Sequence, residues 1–452
     1  MAACSGEPVP VGTSEEDERA TVTSQSRGLR RVALSSLAGT TVEYYDFLLY
    51  ATMTALVFDR LFFPDSDPST AAMAAFATLA AGYVARPLGG IVFGHIGDRL
   101  GRKRTLVATM SLMGVASFLI GCLPTYESIG RAAPVLLVLL RVGQGIAVGG
   151  EWGGATLMVA EHAEPSARGR WNGVTQMGAA LGGLLSTAVV LALSGLSDAA
   201  LMSWGWRVPF WLSAVLLVIG LYVRSAVAES PVFTEAQQAA QGGARSVPLT
   251  AVLRRPVPLL LTCAAGIGCF GLTALLSTYM ISYTRNIGYA MPDILSSKLW
   301  GGVTVLIAIP VFSALSDRLG RRRVIMAGAV AIVLYAYPMY ALVDTGSTPL
   351  LITAVVIGQI IEGAMYGPLG ALLTEMFDTE NRYTGVSLGY QLSALIGAGF
   401  TPLLASALLA GGPTSTPLVI IAMSCGLVTI VAMLLIRETA GRNLATPMAA
   451  PR

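Results

Sequence analysis

Six ionisable residues stand inside long apolar stretches of this chain: Glu43, Asp46, Arg86, Arg141, Glu151 and Glu362. A charge at the centre of a lipid bilayer costs at least about 3 kcal/mol on insertion scales, so such groups persist only beside partners or along a water-filled passage. Glu43, Asp46 and Tyr50 follow one another at helical spacing and share one side of a helix. Glu43 lies about 11 residues beyond Val32, where its apolar stretch begins, which at about 1.5 Å per residue is roughly half-way across a membrane. Carboxyls lining a wet passage take up and release protons, so Glu43 and Asp46 are candidates for a proton site; the alternative is that each is a permanently ionised partner of Arg86 or Arg141. Arg141 would couple that proton to a bound solute, and Glu151 is either a second proton carrier or the partner of Arg141.

Arg86 carries a planar guanidinium that matches a carboxylate through two parallel hydrogen bonds, which makes it a candidate anion site. The alternative is a salt bridge joining the first two apolar stretches. Arg141, Gln144, Gly145, Val148 and Trp152 recur at helical spacing as one stripe, with Gln144 either a ligand or a helix-to-helix hydrogen bond. Tyr45 and Tyr50 in the first half and Tyr279, Tyr283, Glu362, Tyr366, Tyr390 and Gln391 in the second are further polar groups able to face a solute. Gly145, Gly149 and Gly153 recur every fourth residue, as do the pairs Gly90 and Gly94, Gly178 and Gly182, and Gly385 and Gly389, a pattern that lets helices approach closely.

The elements that must position these groups are membrane helices. Of the 452 residues 54% are hydrophobic and 12% charged, and the mean hydropathy is +0.67, whereas soluble domains devote about a quarter of their residues to charge. Apolar stretches of near the ~20 residues that cross a bilayer predict twelve spans, at 32–56, 73–96, 104–123, 134–159, 172–193, 207–227, 257–281, 294–315, 324–342, 349–372, 384–409 and 417–436. Transmembrane barrels are excluded, because their strands are short and alternating. The five cysteines, Cys4, Cys122, Cys263, Cys269 and Cys425, show no ligand spacing, and with only His95 and His162 no metal site is expected.

The fold class expected is therefore an all-α membrane protein of two six-helix halves. Residues 1–30 are expected as a disordered tail, 31–227 as one bundle, 228–256 as a polar linker, 257–437 as a second bundle and 438–452 as a short tail. Most lysines and arginines fall on the tails and the even-numbered connections, with Arg60, Arg131, Arg207, Arg285 and Lys298 assigned to the odd ones, so the positive-inside rule places both termini and the linker in the cytoplasm. The halves repeat one another: residues 94–104 read GHIGDRLGRKR and 313–323 read SALSDRLGRRR, while Glu161 precedes Arg168 at the spacing with which Glu375 precedes Arg382. A solute site between two repeated halves is the arrangement this implies.

These motifs resemble the major facilitator superfamily. Residues 43–47 (EYYDF), 86–90 (RPLGG), 141–145 (RVGQG), 149–154 (GGEWGG), 229–233 (ESPVF) and 382–385 (RYTG) with Tyr390 and Gln391 are similar to its metabolite:proton symporter family. FLLY at 47–50, ALVF at 55–58 and LFFP at 61–64 look closest to the shikimate-type branch, and Tyr44 stands where members commonly carry tryptophan. The resemblance implies proton-coupled import of a small polar metabolite by alternating access, with carboxylates such as shikimate or di- and tricarboxylates foremost and Arg86 implicated in anion binding. Proline or betaine carriage is the runner-up, followed by export or a non-transporting sensor. The partners implied are a small-molecule substrate, protons and the lipid bilayer; no nucleic acid and no cofactor beyond the proton gradient are expected, and the chain is expected to act as a monomer.

The loops at the repeat read as a cytoplasmic gate made by Gly97, Asp98, Arg99, Gly101, Arg102, Asp317, Arg318 and Arg168. A carboxylate such as Asp98 can accept from the exposed N–H groups at the start of a neighbouring helix while pairing with Arg168 or a related basic group. No pore-loop filter, phosphate-binding loop or nucleophile with its base appears, which sets aside a channel, a nucleotide-driven pump and an enzyme.

Overall fold

The computed structural model describes residues 15–442 except 101, 194, 226–247, 255, 378–381 and 410–413; of 15–28, 94–95, 97–100, 102–103, 224–225, 248 and 251 it describes the backbone alone. The first six long helices are α1 (Glu15–Met53), α2 (Pro68–Leu100), α3 (Arg102–Cys122), α4 (Ala132–His162), α5 (Arg168–Leu193) and α6 (Val208–Ser225). The next six are α7 (Pro256–Thr273), α8 (Met291–Leu319), α9 (Arg321–Val343), α10 (Thr348–Glu375), α11 (Arg382–Ala394) and α12 (Thr416–Leu435). Three of them run on through a π-helical stretch, α1 through Thr54–Phe58, α7 through Ala274–Tyr279 and α11 through Leu395–Gly399. Those of α1 and α7 occupy corresponding places in the two halves, so the repeat extends to backbone irregularity as well as to motif.

Eleven of the described helices are long and apolar enough to cross a membrane, and α1 is the twelfth element of the fold. Its centre is diluted by Thr40, Thr41, Glu43 and Asp46. The outer surface is apolar, with Leu88, Val218, Tyr222, Leu334 and Leu434 exposed. That inversion suits a bilayer, where helices satisfy their own backbone groups and present side chains to acyl chains. One expectation differs: α1 begins at Glu15, within the stretch expected as a disordered tail. Acidic residues at 15–18 fill the first turn of the helix and complement its dipole there. At the start of α2, Asp67 accepts from the Ser69 hydroxyl at 2.6 Å and the Thr70 N–H at 3.1 Å, which caps the helix and holds this exposed carboxyl below the usual carboxylate range.

Within the first half α1 packs on α5, α2 on α4, and α3 on α4 and α6; within the second, α8 and α9 pack on α10, and α7 packs on α11 and α12. The halves meet through α5 with α8, α2 with α11, and α4 with α11. Glycine makes the closest of these approaches. A Cβ on Gly145 would lie 2.1 Å from the Gly82 carbonyl oxygen, and one on Gly149 would lie 1.9 Å from that of Arg86. On α5, a Cβ on Gly182 would meet the backbone of α1 at the Thr41 oxygen, 2.5 Å away. Of the expected four-residue glycine stripes, Gly145 and Gly149 thus mark the seam of α2 with α4 and Gly178 and Gly182 that of α1 with α5, while Gly153 meets Ser387, Gly385 meets Phe377 and Gly389 meets Thr262.

Gly149→Val therefore should destabilise the fold by the upper end of the roughly 1–3 kcal/mol that overpacking costs, or more, since the clash is with backbone. Gly143, where a Cβ would meet nothing within 4 Å, supplies the control as Gly143→Val. Melting temperatures in detergent should fall by several degrees for the first variant only, and equal values would show that α2 and α4 do not need that approach.

Candidate functional site

The residues that could do chemistry collect in three places. The first is a cavity between the halves of about 80 Å³. Tyr44, Leu48, Gly183 and Thr187 wall it from α1 and α5; Phe270, Thr273, Lys298, Gln359, Glu362 and Tyr366 wall it from the second half. Glu362 accepts from the Thr273 hydroxyl at 2.6 Å, and its second carboxyl oxygen has no hydrogen-bond partner. At one end the hydroxyls of Tyr44, Tyr366 and Tyr390 close a triangle across the halves, with sides of 2.9, 2.5 and 3.1 Å. Tyr390 stacks on Trp152 of α4 at 3.5 Å between ring centroids, and Gln391 Nε2 reaches the Gly149 carbonyl at 3.5 Å.

The second place is a polar cluster inside the first half. Asp46 is 1% exposed and accepts from the Ser213 hydroxyl of α6, while its other oxygen has no hydrogen-bond partner. Arg141, fully buried, lies 3.9 Å over the Phe47 ring and 4.1 Å over that of Tyr50, and its Nη1 donates to Gln144 Oε1 at 3.0 Å. Gln144 Nε2 in turn donates to the Ser117 hydroxyl at 2.7 Å, so the reading of Gln144 as a link between helices holds for α3 and α4. Arg86 lies 3.8 Å over Phe47 and 4.5 Å over Tyr83. It is 3% exposed, its Nε has no hydrogen-bond partner, and among the described residues no carboxylate stands within the 4 Å of an ion pair. Glu43 and Glu151 are buried on α1 and α4. The two π-faces on each arginine replace part of its lost hydration.

The third place is the face that carries the basic loops. There Asp317, at the end of α8, accepts from the backbone N–H groups of Gly169 and Arg170 at the start of α5, both at 2.9 Å. It also pairs with Arg321 Nη1 at 2.6 Å. Glu375, fully buried at the end of α10, pairs with Arg168 Nη1 of α5 at 3.2 Å and with Arg321 Nη2 at 3.5 Å. Arg168 and the N-terminus of α5 belong to the first half; Asp317, Arg321 and Glu375 belong to the second. This is the geometry expected of the gate, carboxylate on helix N-terminus plus arginine, realised on the second copy of the motif. Of the first copy, Gly101 lies outside the described residues and for Gly97, Asp98, Arg99 and Arg102 the backbone alone is described; Arg318 is exposed.

Several expected contacts are placed elsewhere. Tyr45 turns its hydroxyl to the Pro209 carbonyl at 2.8 Å, away from the cavity, because adjacent helix residues point about 100° apart and Tyr44 takes the cavity face. Tyr50 bonds Thr78 at 2.6 Å, and with Asp46 it faces the interior of its own half. Tyr283 donates to Asp344 at 2.6 Å beside Tyr340, and Tyr279 packs on Phe76 across the halves at 5.8 Å between centroids. The sequence reading missed Lys298 as a site residue. The charge pattern assigns it to an outer connection, but it lies inside α8 and lines the cavity. Its signal was present as a basic residue within a predicted span. Arg321 and Glu375 were visible only as parts of the repeat.

With this geometry in view, known proteins offer three comparisons. The Sugar (and other) transporter family model matches residues 32–255, and the Major Facilitator Superfamily model matches 295–450. The shikimate transporter of Escherichia coli (strain K12) is 41% identical over 84% of this chain and 88% of its own length. An inner membrane metabolite transport protein of the same organism is 38% identical over 92% and 95%, and its proline/betaine transporter is 33% identical over 93% and 86%. Among solved structures, a proton:xylose symporter bound to 6-bromo-6-deoxy-D-glucose superposes with a TM-score of 0.74 at 17% identity, covering 93% of this chain and 98% of that one.

Removing one member of a buried ion pair leaves the other charge uncompensated, at a cost of about 3–5 kcal/mol. Glu375→Gln leaves Arg168 without its carboxylate partner and Arg321 with Asp317 alone, and should lower the melting temperature and cut uptake at least tenfold, whereas Arg318→Gln on the exposed neighbour should do neither. A Glu375→Gln protein with unchanged melting and uptake would show that the basic-face contacts do not hold the halves.

Proposed function

Since this chain belongs to the major facilitator superfamily, and is thus a multi-pass membrane transporter and not an enzyme, we propose that it imports a small carboxylate together with a proton. Arg86 carries this reading. A buried guanidinium between two aromatic rings, with no carboxylate of the described residues within 4 Å, is the partner that an anionic solute would complete. The shikimate transporter among the relatives supports the class, and the proline/betaine transporter supports the second reading.

Asp46 and Glu362 are the proposed proton carriers. Each is buried, each accepts one hydroxyl hydrogen bond, and each has an oxygen with no hydrogen-bond partner. A proton on that oxygen removes the charge that low-dielectric surroundings oppose. Arg141, stacked beside Asp46, conveys the change to Phe47 and so to Arg86, which shares that ring. We place the basic face in the cytoplasm by the positive-inside rule. Rocking of the halves about the cavity then requires the Asp317 and Glu375 contacts to break and reform. A zwitterion such as proline or betaine is the second reading, favoured by one observation: a cation, Lys298, and an anion, Glu362, wall the same cavity.

Uptake of labelled shikimate and proline into vesicles under an imposed proton gradient separates these. Gradient-driven shikimate accumulation without proline uptake is expected, and the reverse would overturn the carboxylate reading. Arg86→Lys, which keeps the charge and loses the fork, should raise KM for the carboxylate at least tenfold; an unchanged KM would remove Arg86 from the binding step. Asp46→Asn should abolish accumulation against a gradient while equilibrium exchange continues.

A further inference from the structure

Lys298 stands about 10 Å into α8, counted at about 1.5 Å per residue from Met291. Lysines near helix ends commonly extend toward the headgroups and keep their charge in water. This one does not. Its ammonium donates to the Thr52 hydroxyl of α1 at 3.0 Å, a bond that crosses from the second half to the first. Lys298, Gly302, Val305 and Ile309 recur along one face of α8, and that face walls the central cavity. Among the described residues no carboxylate lies within 4 Å of the amine. A cation held inside the membrane by one neutral hydroxyl is undercompensated, and the space beside it is the cavity between the halves.

We propose that Lys298 is the second half's own contact with the anionic group of the substrate, and that engaging the substrate releases its bond to Thr52. This rests on the carboxylate reading above and adds to it a specificity-determining residue and a consequence. Lys298 reaches the cavity from the second half, while Arg86, over the rings of Phe47 and Tyr83, lies in the polar cluster within the first half and is not among the residues that wall the cavity. The ammonium has three donors and needs no fixed approach, so it tolerates a substrate whose carboxylate moves as the halves rock. Exchanging Thr52 for the substrate keeps the cation compensated while removing a direct tie between α1 and α8 on the face opposite the basic loops. The substrate thereby loosens one side of the molecule by the act of binding.

Uptake kinetics of wild type, Lys298→Met, Lys298→Arg and Thr52→Val, measured with labelled shikimate, 2-oxoglutarate, citrate and proline, test this. The expected result is a KM for the transported carboxylate raised at least tenfold in Lys298→Met, raised only a few-fold in Lys298→Arg, and within twofold of wild type in Thr52→Val, whose turnover changes instead. If Lys298→Met and Thr52→Val alter KM and turnover alike, Lys298 is only a tie between helices and the inference fails while the carboxylate reading stands. A Lys298→Met protein of wild-type KM also overturns it. Uptake of proline and of none of the three acids by wild type overturns both. Size-exclusion profiles of the variants in detergent separate loss of folding from loss of binding, and Lys298→Arg carries the test if Lys298→Met does not fold.

Discussion

Every charged group in this molecule that lies away from water must be compensated by something other than water, and the structure answers that demand in three different ways. Arg141 and Arg86 rest on the rings of Phe47, Tyr50 and Tyr83. Arg168, Arg321 and Glu375 are compensated by one another across the seam between the halves. Lys298 and Glu362 face a cavity and hold single hydroxyl partners. Only the last arrangement leaves room for a visitor. The first is built within one half, while the second joins the two halves.

That division suits a carrier. Aromatic stacking tolerates small changes of charge state, since a ring face holds a guanidinium without fixing a proton. Cross-half ion pairs are strong when dry and are replaced by hydration when the seam opens, so they make a closed state definite without making it permanent. The Asp317 carboxylate adds the amide groups at the start of α5, which contribute fixed partial charge without any side-chain ordering. The C-terminal segment joins the same network: Glu438 accepts from the Arg321 N–H at 2.8 Å, and the Thr439 hydroxyl donates to Glu375 at 2.7 Å.

Backbone contact supplies the stiffness that these charges need. Gly145, Gly149 and Gly182 bring α2, α4, α1 and α5 to distances at which a methyl group would overlap a carbonyl. Helices so close present their side chains at fixed angles, which is why Arg86 and Arg141 can both lie over the Phe47 ring. Near the ends of α1 and α7, by contrast, the π-helical stretches interrupt regular hydrogen bonding and offer places where the helices can bend.

The sequence by itself determined the twelve helices, their repeat and the identity of the buried charges, because the lipid solvent allows no other use for apolar runs of that length and no casual use for charges within them. It also determined that a carboxylate in the repeated loop would cap a helix beside an arginine, since the motif carries that chemistry in its residue types. Only the tertiary structure decided that Tyr44 and not Tyr45 meets the cavity, that Gln144 serves two helices and that Asp46 turns to Ser213. Those outcomes depend on the rotation of each helix about its own axis, which glycine seams set and linear spacing leaves open. Only the fold, likewise, could show that Lys298 points inward: a lysine near a helix end can reach either headgroups or interior, and the choice is made by whether a neighbouring helix offers a hydroxyl within reach.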